Sequence, residues 1–325
     1  MYKLGPHLTR STPQGADWAK RAAIVKSLDD TGPFIAAPES VIRVYRHFYQ
    51  YQNEDARRGP VAIAREIVAT LGGYNHPRLY LEAPFNEWMQ GEAEIEYHLV
   101  FADECVAELH RLGYKVAVYC WGTGNPFQWG MWDKIKAHNF AHGDLLCLHE
   151  YWAKQGFTTW NALRYRRVHE YLQGQHPPMV ITECGRDAIV AEGGDRQPGW
   201  KLQGISRETY AQELLAYAAE LEKDPYVVGA VAYTFGAWND FAGFESGDIA
   251  DLMPAANQFI TIAGSNNVST IEFVLGFKDY AAKHPEVGTA VEDLQYDLYG
   301  NAWQHSANGL LFWHKAKNEI TFFRK

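Results

Sequence analysis

RLYLEAPFNE, residues 78–87, carries an apolar, strand-like run straight into an amide and a carboxylate, with no helix start between them. Its meaning depends on whether the pattern recurs, and it does. Eight short runs rich in Val, Ile, Leu and Tyr can be read: YKLGPHL (2–8), AAIVKSL (22–28), VIRVYRH (41–47), RLYLEAPFNE, KVAVYCW (115–121), LLCLHEYW (145–152), MVITECG (179–185) and VVGAVAYTFG (227–236). Between them lie stretches such as GPVAIAREIVATLGG (59–73), EAEIEYHLVFADECVAELHRLG (92–113), TTWNALRYRRVHEYLQG (158–174) and SRETYAQELLAYAAELEK (206–223). These carry apolar residues at three- and four-residue spacing, the period of an amphipathic helix. Gly72-Gly73, Gly113 and Gly174 fall where a left-handed helix C-cap wants glycine.

Strands that alternate with helices pair in parallel, and eight such units close into an α/β (β/α)8 TIM barrel. A doubly wound open sheet is the competing layout. It would carry a Gly-rich phosphate turn after its first strand, and GPHLTRSTPQG (5–15) is not one. The first two connections are short for a barrel, which weakens those two strands. After Gly236 the chain changes character. AWNDFAGFESGDIADLMPAANQ (237–258) reads as a long loop, and IEFVLGFKDYAAKHPEVG (271–288) reads as helical to about residue 284. The remainder reads as short strands and turns, with Asn308-Gly309 a hairpin signal. The expected division is a barrel over 1–265 and a small β-rich C-terminal module over 270–325.

Composition narrows the function. The chain has 325 residues, is 47% hydrophobic and carries a net charge of −9 with no basic run, so nucleic acid is not expected as a partner. No stretch approaches the ~20 apolar residues of a membrane span, and MYKLGPHLTR lacks the apolar segment of a signal peptide. Cys105, Cys120, Cys147 and Cys184 sit inside apolar elements without CxxC spacing, which predicts free buried thiols and no structural zinc. Aromatic residues make up 14%, including eleven Trp. Trp88, Trp121, Trp129, Trp152 and Trp238 follow apolar runs; singly each reads as packing, but as a set they suit a cleft that grips flat sugar faces.

Barrel chemistry gathers where the strands end. The fourth run ends in Asn86-Glu87-Trp88, the sixth in His149-Glu150-Tyr151-Trp152, the seventh in Thr182-Glu183-Cys184 and the eighth in Phe235-Gly236-Ala237-Trp238. Lys26, Asp29 and Asp30 close the second, and Arg43, Arg46 and His47 the third. Glu87 and Glu183, three βα units apart, would face each other across the mouth. Two carboxylates about 5–5.5 Å apart are what a retaining glycosidase needs, one as proton donor and one as nucleophile. Strand alternation turns Glu150 to the other face, where it is expected to be structural.

With FNEW (85–88), ITECG (181–185) and His149-x-Tyr151, each at a strand end, the chain resembles the clan A glycoside hydrolases, retaining (β/α)8 glycosidases that include cellulases, mannanases and xylanases. The resemblance covers roughly residues 2–250. It implies hydrolysis of a β-linked polysaccharide or cell-wall glycan by double displacement, with Glu87 as acid/base, Glu183 as nucleophile and Asn86 on the sugar 2-hydroxyl. It further implies Tyr151 and His149 beside the nucleophile, Trp238 under the reacting sugar, and an Arg nearby, for which Arg43 is the choice. Trp121 and Trp152 are expected to line the cleft. Glu82 lies four residues before Asn86, one more than the family's usual spacing, which predicts a local irregularity. The tail is loosely similar to the LGFP-type repeats of cell-wall-associated proteins. A monomer that needs no cofactor or metal and binds an oligo- or polysaccharide is the expectation. A non-catalytic carbohydrate-binding barrel is the first alternative. A metal-dependent hydrolase comes last, because neither HExxH nor a first-strand HxH is present.

Overall fold

The computed structural model describes residues 2–88, 94–138, 143–153, 156–187, 198–255, 276–289 and, with 297–301, 315, 316 and 318 excepted, 295–324. The eight strands are β1 (Leu4–Leu8), β2 (Ile24–Leu28), β3 (Ile42–Arg46), β4 (Leu79–Ala83), β5 (Lys115–Trp121), β6 (Leu145–Trp152), β7 (Met179–Arg186) and β8 (Val227–Phe235). They form a closed barrel in sequence order, all neighbours parallel, with β8 pairing back onto β1. Helices follow the strands: α1 (Pro13–Ala19), α2 (Gly32–Ala36), α3 (Gln52–Ala56), α4 (Pro60–Thr70), α5 (Ile95–Arg111), α6 (Trp129–Ala137), α7 (Arg164–Tyr171) and α8 (Arg207–Glu222). The short first connections hold α1, of seven residues, and α2, of five, so brevity there marks small helices and not missing strands. Among the described residues no helix is long and apolar enough to cross a membrane.

The outer core packs the strands against the helices. A second, smaller core fills the barrel itself, from Ile24, Val44, Ala117, Leu145, Cys147, Val180 and Val231. Strand side chains alternate faces, so the residue two positions on points inward again, one layer nearer the mouth. That rule places Lys26 above Ile24, Arg46 above Val44, His149 above Cys147 and Tyr233 above Val231. Register shifts at Leu148/His149 and between Ile181 and Cys184 both place an extra residue in β7, which breaks the alternation of that strand and turns Glu183 inward. All four cysteines are free and buried.

Glu150 lies on the opposite face, fully buried, as alternation predicts. Its Oε2 accepts from Leu163 N at 2.8 Å and Tyr217 Oη at 2.5 Å, and its Oε1 from Tyr165 N at 2.8 Å. The carboxylate thus takes up backbone N–H groups at the start of α7. Burial pushes its pKa up to about 7, against these hydrogen bonds and the Arg164 charge.

The chain divides into two compact units, Met1–Ile260 and Thr261–Lys325. The boundary expected between 265 and 270 lies outside the described residues. In the second unit, α9 (Gly276–Lys283) is followed by an antiparallel sheet of β9 (Gln295–Tyr296), β10 (Ala302–Ser306), β11 (Gly309–His314) and β12 (Glu319–Arg324), in the order β12-β11-β10-β9. Phe277, Val287 and Leu311 form its core. The β10–β11 hairpin turns at Ala307-Asn308, one residue before the signal read from sequence, with Ser306 paired to Gly309. A Cβ on Gly309 would sit 2.1 Å from Phe323 O, so only glycine lets β12 pair this closely.

Candidate active site

β4 delivers Glu87 through a turn that needs an anchor. Glu87 adopts a left-handed φ of 50°, a conformation costing an L residue roughly 1–2 kcal/mol. Its amide donates to Cys120 O at 3.1 Å. The next residue, Trp88, is buried, stacks on His98 with ring centroids 4.1 Å apart, and donates from Nε1 to Asn53 Oδ1 at 2.8 Å. The indole therefore holds the turn while the Glu87 side chain, 44% exposed, faces the mouth. Gly122, just past β5, makes the room: a Cβ there would lie 2.9 Å from Glu87 Oε1. In the stretch 78–88, Trp88 thus serves packing while Asn86 and Glu87 face the cleft.

Glu183 is buried among cations. Its Oε1 accepts from Arg46 Nη1 at 2.9 Å and lies 3.4 Å from Lys26 Nζ, and its Oε2 accepts from Tyr151 Oη at 2.8 Å. His149 Nδ1 stands between the carboxylates, 2.7 Å from Glu87 Oε1 and 3.5 Å from Glu183 Oε2. Burial pushes the Glu183 carboxyl up, but the charges of His149, Lys26 and Arg46 outweigh it and hold the group well below the usual carboxylate range. Burial likewise opposes a charge on His149, yet Glu183, the contact with Cys147 and Glu87 push it up to about 10. The His149 ring thus stands between the two carboxyl groups, and Thr123 Oγ1 fixes its strand by accepting from Tyr151 N at 3.0 Å and donating to His149 O at 3.2 Å.

These groups open into a cleft of about 1270 Å³, lined among others by Asn86, Asn125, Asp187, Tyr233, Phe241 and Phe244. Of the residues expected from sequence, Asn86, Glu87, His149, Tyr151 and Glu183 come together. Four others do not. Arg43 points outward from β3, and its guanidinium donates to the carbonyls of Phe34, Val41, Ala37 and Pro38. Arg46, one inward layer further along the same strand, meets Glu183 instead. Trp121 is buried, stacked on Tyr119 at 4.4 Å and edge-on to Trp132. Trp152 is fully buried, donating to Glu213 Oε2 at 2.9 Å. Trp238 lies beneath Arg10, 4.8 Å from its guanidinium carbon, and edge-on to Phe48. Gly236, with φ 71° and Arg10 pressed against it, turns the chain just before Trp238, which does not line the cleft, whereas Phe241 and Phe244 beyond it do. The aromatic that β8 gives the cleft is Tyr233, two residues before the strand ends.

Among the described residues, two groups of side chains have cation-ligating chemistry. The donor atoms of Glu87, His149 and Glu183 lie within 4.8 Å of one another, as do those of Glu82, Cys120 and Cys147. Neither suits a metal ion: in the first, Arg46 and Lys26 already hold Glu183, and the second already receives the Lys26 ammonium at Glu82.

No protein-family model matches the sequence, and no curated protein matches it either. Solved structures with a similar barrel include a GH128 (subgroup I) endo-beta-1,3-glucanase from Amycolatopsis mediterranei in complex with laminaritriose, 17% identical over 78% of this chain and 99% of that one, TM-score 0.48. An endo-1,4-beta-D-mannanase from Thermotoga petrophila RKU-1 is 11% identical over 78% of this chain and 100% of its own, TM-score 0.46. A beta-glucuronidase from Bifidobacterium dentium is 14% identical over 78% of this chain and 45% of its own, TM-score 0.47. At these identities and scores nothing about chemistry transfers to this chain.

Proposed function

We propose that the protein is a retaining glycoside hydrolase acting on a β-linked glycan, with Glu183 as nucleophile and Glu87 as acid/base. The observation that carries this reading is the pairing of two carboxylates whose oxygens lie within 4.8 Å, in an open cleft, with opposite surroundings. An approach this close between one oxygen of each group favours the ~5–5.5 Å of a retaining pair over the ~6.5–9.5 Å that leaves room for water in an inverting one. Glu183, buried and held by Arg46, Lys26 and Tyr151, is kept as an anion, which is what a nucleophile requires. Glu87, half exposed at the mouth, stands where a leaving group can receive its proton.

In the first step a Glu183 oxygen bonds to the anomeric carbon. The bond to the leaving oxygen breaks, its electron pair stays on that oxygen, and the Glu87 proton joins it. In the second step Glu87 takes a proton from water, the resulting hydroxide attacks the anomeric carbon, and Glu183 leaves as carboxylate. Asn86 Oδ1, buried and without a hydrogen-bond partner among the described residues, is suited to accept from the sugar 2-hydroxyl. Tyr233, Phe241 and Phe244 offer apolar faces to the ring.

The test is Glu87→Ala on a panel of aryl β-glycosides with activated leaving groups. The variant is expected to form the glycosyl-enzyme, stall, and turn over when azide is added, releasing a glycosyl azide of retained configuration. An azide of inverted configuration would exchange the two roles. Absence of rescue on every activated substrate would overturn the assignment and favour a non-catalytic sugar-binding barrel.

A further inference from the structure

Below the cleft floor lies an ion pair that double displacement does not itself require. Lys26 Nζ, fully buried, sits 2.8 Å and 2.9 Å from the two oxygens of Glu82 and 3.4 Å from Glu183 Oε1. Glu82 is buried as well, its Oε1 also taking a contact from Cys147 Sγ at 3.5 Å. Two charges withdrawn from water lose more hydration than their attraction returns, and apolar side chains of similar volume would pack this layer at lower cost. A pair kept there acts on something, and the group within reach is Glu183.

Resting on the reading of Glu183 as nucleophile, we propose that the Lys26–Glu82 pair is a positioning element. The ammonium, pinned from below by both Glu82 oxygens, holds Oε1 of Glu183 and leaves Oε2 to form the bond to the anomeric carbon. Arg46 reaches the same Oε1 from the side at 2.9 Å, so two cations fix one oxygen. Oε2 has only the neutral Tyr151 hydroxyl at 2.8 Å and His149 at 3.5 Å. As Oε2 bonds to carbon, the negative charge of the carboxylate is consumed; Lys26 and Arg46 then face an ester carbonyl at Oε1, which takes back its share of the charge when water attacks the anomeric carbon and the bond from carbon to Oε2 breaks.

The groups that face Glu183 come from nearly every strand: His7 from β1, Lys26 from β2, Arg46 from β3, Glu82 and Glu87 from β4 and its end, His149 and Tyr151 from β6 and Tyr233 from β8. Cys120 on β5 and Cys147 on β6 border Glu82. Lys26 is one of the largest contributors that lower the Glu183 carboxyl, after burial, which raises it, and His149. Glu82, in turn, is pushed up by burial and brought below the usual range by Lys26 first and Arg46 next. The two carboxylates therefore share one ammonium, and removing either partner should act on Glu183 in opposite directions.

The experiment titrates Glu183 directly by carbon-13 NMR of side-chain-labelled glutamate. The resonance is assigned by its loss in Glu183→Gln, and the acid limb of kcat/KM is recorded alongside. In Lys26→Met the Glu183 titration should move up by about one pH unit or more, and the acid limb with it. In Glu82→Gln, where the ammonium is no longer shared, it should stay or move down. An unchanged Glu183 titration in Lys26→Met would overturn the proposal, as would a shift of the same sign in both variants, the mark of general disruption. If a single variant does not fold, Lys26→Met/Glu82→Gln removes both charges; there an upward shift supports the pair and no shift overturns it. Failure of all three to fold would assign the pair to stability alone and overturn its positioning role. The titration needs no turnover. An inactive wild type with a Lys26-dependent Glu183 would thus sink the hydrolase reading while leaving the control of the carboxylate standing.

Discussion

Replacing Gly122 with Ala tests whether Glu87 must hold its place in order to act. The added Cβ would lie 2.9 Å from Glu87 Oε1, 3.0 Å from Cδ and 3.4 Å from Cγ. Ordinary contact between such atoms begins near ~3.5 Å, so the carboxylate must withdraw by roughly 0.5 Å or more. Its contact with His149 Nδ1, now 2.7 Å, then lengthens, beyond the ~3.2 Å at which such a bond keeps its strength. A displacement of this order at a positioned group costs about 100-fold in rate, or about 2.7 kcal/mol of barrier. The assay compares kcat/KM for a phenyl and a dinitrophenyl β-glycoside of whichever sugar the enzyme accepts. The phenyl leaving group needs a proton and should lose about 100-fold, whereas the dinitrophenyl group needs none and should lose about threefold at most. Melting temperature should hold, because what gives way is the end of a half-exposed side chain. Equal losses on both substrates, or none on either, would refute the reasoning.

Three further outcomes follow from the geometry. Tyr233→Ala should raise KM or lower kcat/KM by about tenfold or more, while Trp238→Ala should change either by less than about threefold; a larger effect at Trp238 on soluble substrates would restore it to the cleft. His149, with a pKa raised from the ordinary 6.5 to about 10, stabilises the fold fully below pH 6.5 and loses that contribution as pH rises through 10. The stability difference between wild type and His149→Gln in urea should therefore shrink by about 3 kcal/mol between pH ~7 and ~9.5, and a constant difference would place the proton elsewhere. Removal of residues 270–325 should leave turnover of soluble oligosaccharides intact, since all eight barrel strands end by Phe235; loss of the barrel's cooperative unfolding in the shortened chain would argue against two independent units.

The sequence made the barrel readable because most strands carry a short aliphatic run and the helical connections break its period; β1, LGPHL, is the weakest of them. Glu87 and Glu183 were readable for a related reason: each ends such a run, where no apolar neighbour explains a carboxylate. Arg43 and Arg46 were not separable by type. Only counting inward positions from Val44 separates them, and that needs the floor of the barrel to be known. Lys26 could have been found the same way, two residues above Ile24. The tryptophans misled because an indole after a strand serves equally to pin a loop, as Trp88 does, or to line a cleft. Tyr233 gave no signal at all, lying inside a strand and two residues short of its end. Gly122 is legible only once Glu87 is seen leaning over it.

His149 and Tyr151 sit on one strand, two residues apart, and between them they touch both carboxylates. β6 therefore works as a spacer gauge. A substitution that tilts β6 should carry both contacts with it, so that the gap between Glu87 and Glu183 changes less than the position of either. On the proposed mechanism that gap decides whether the product keeps or inverts its anomeric configuration. Sugar preference and chain length depend on the loops and can drift with them. The stereochemical outcome is tied to two residues of one strand, so it should be the last property of this site to yield to mutation.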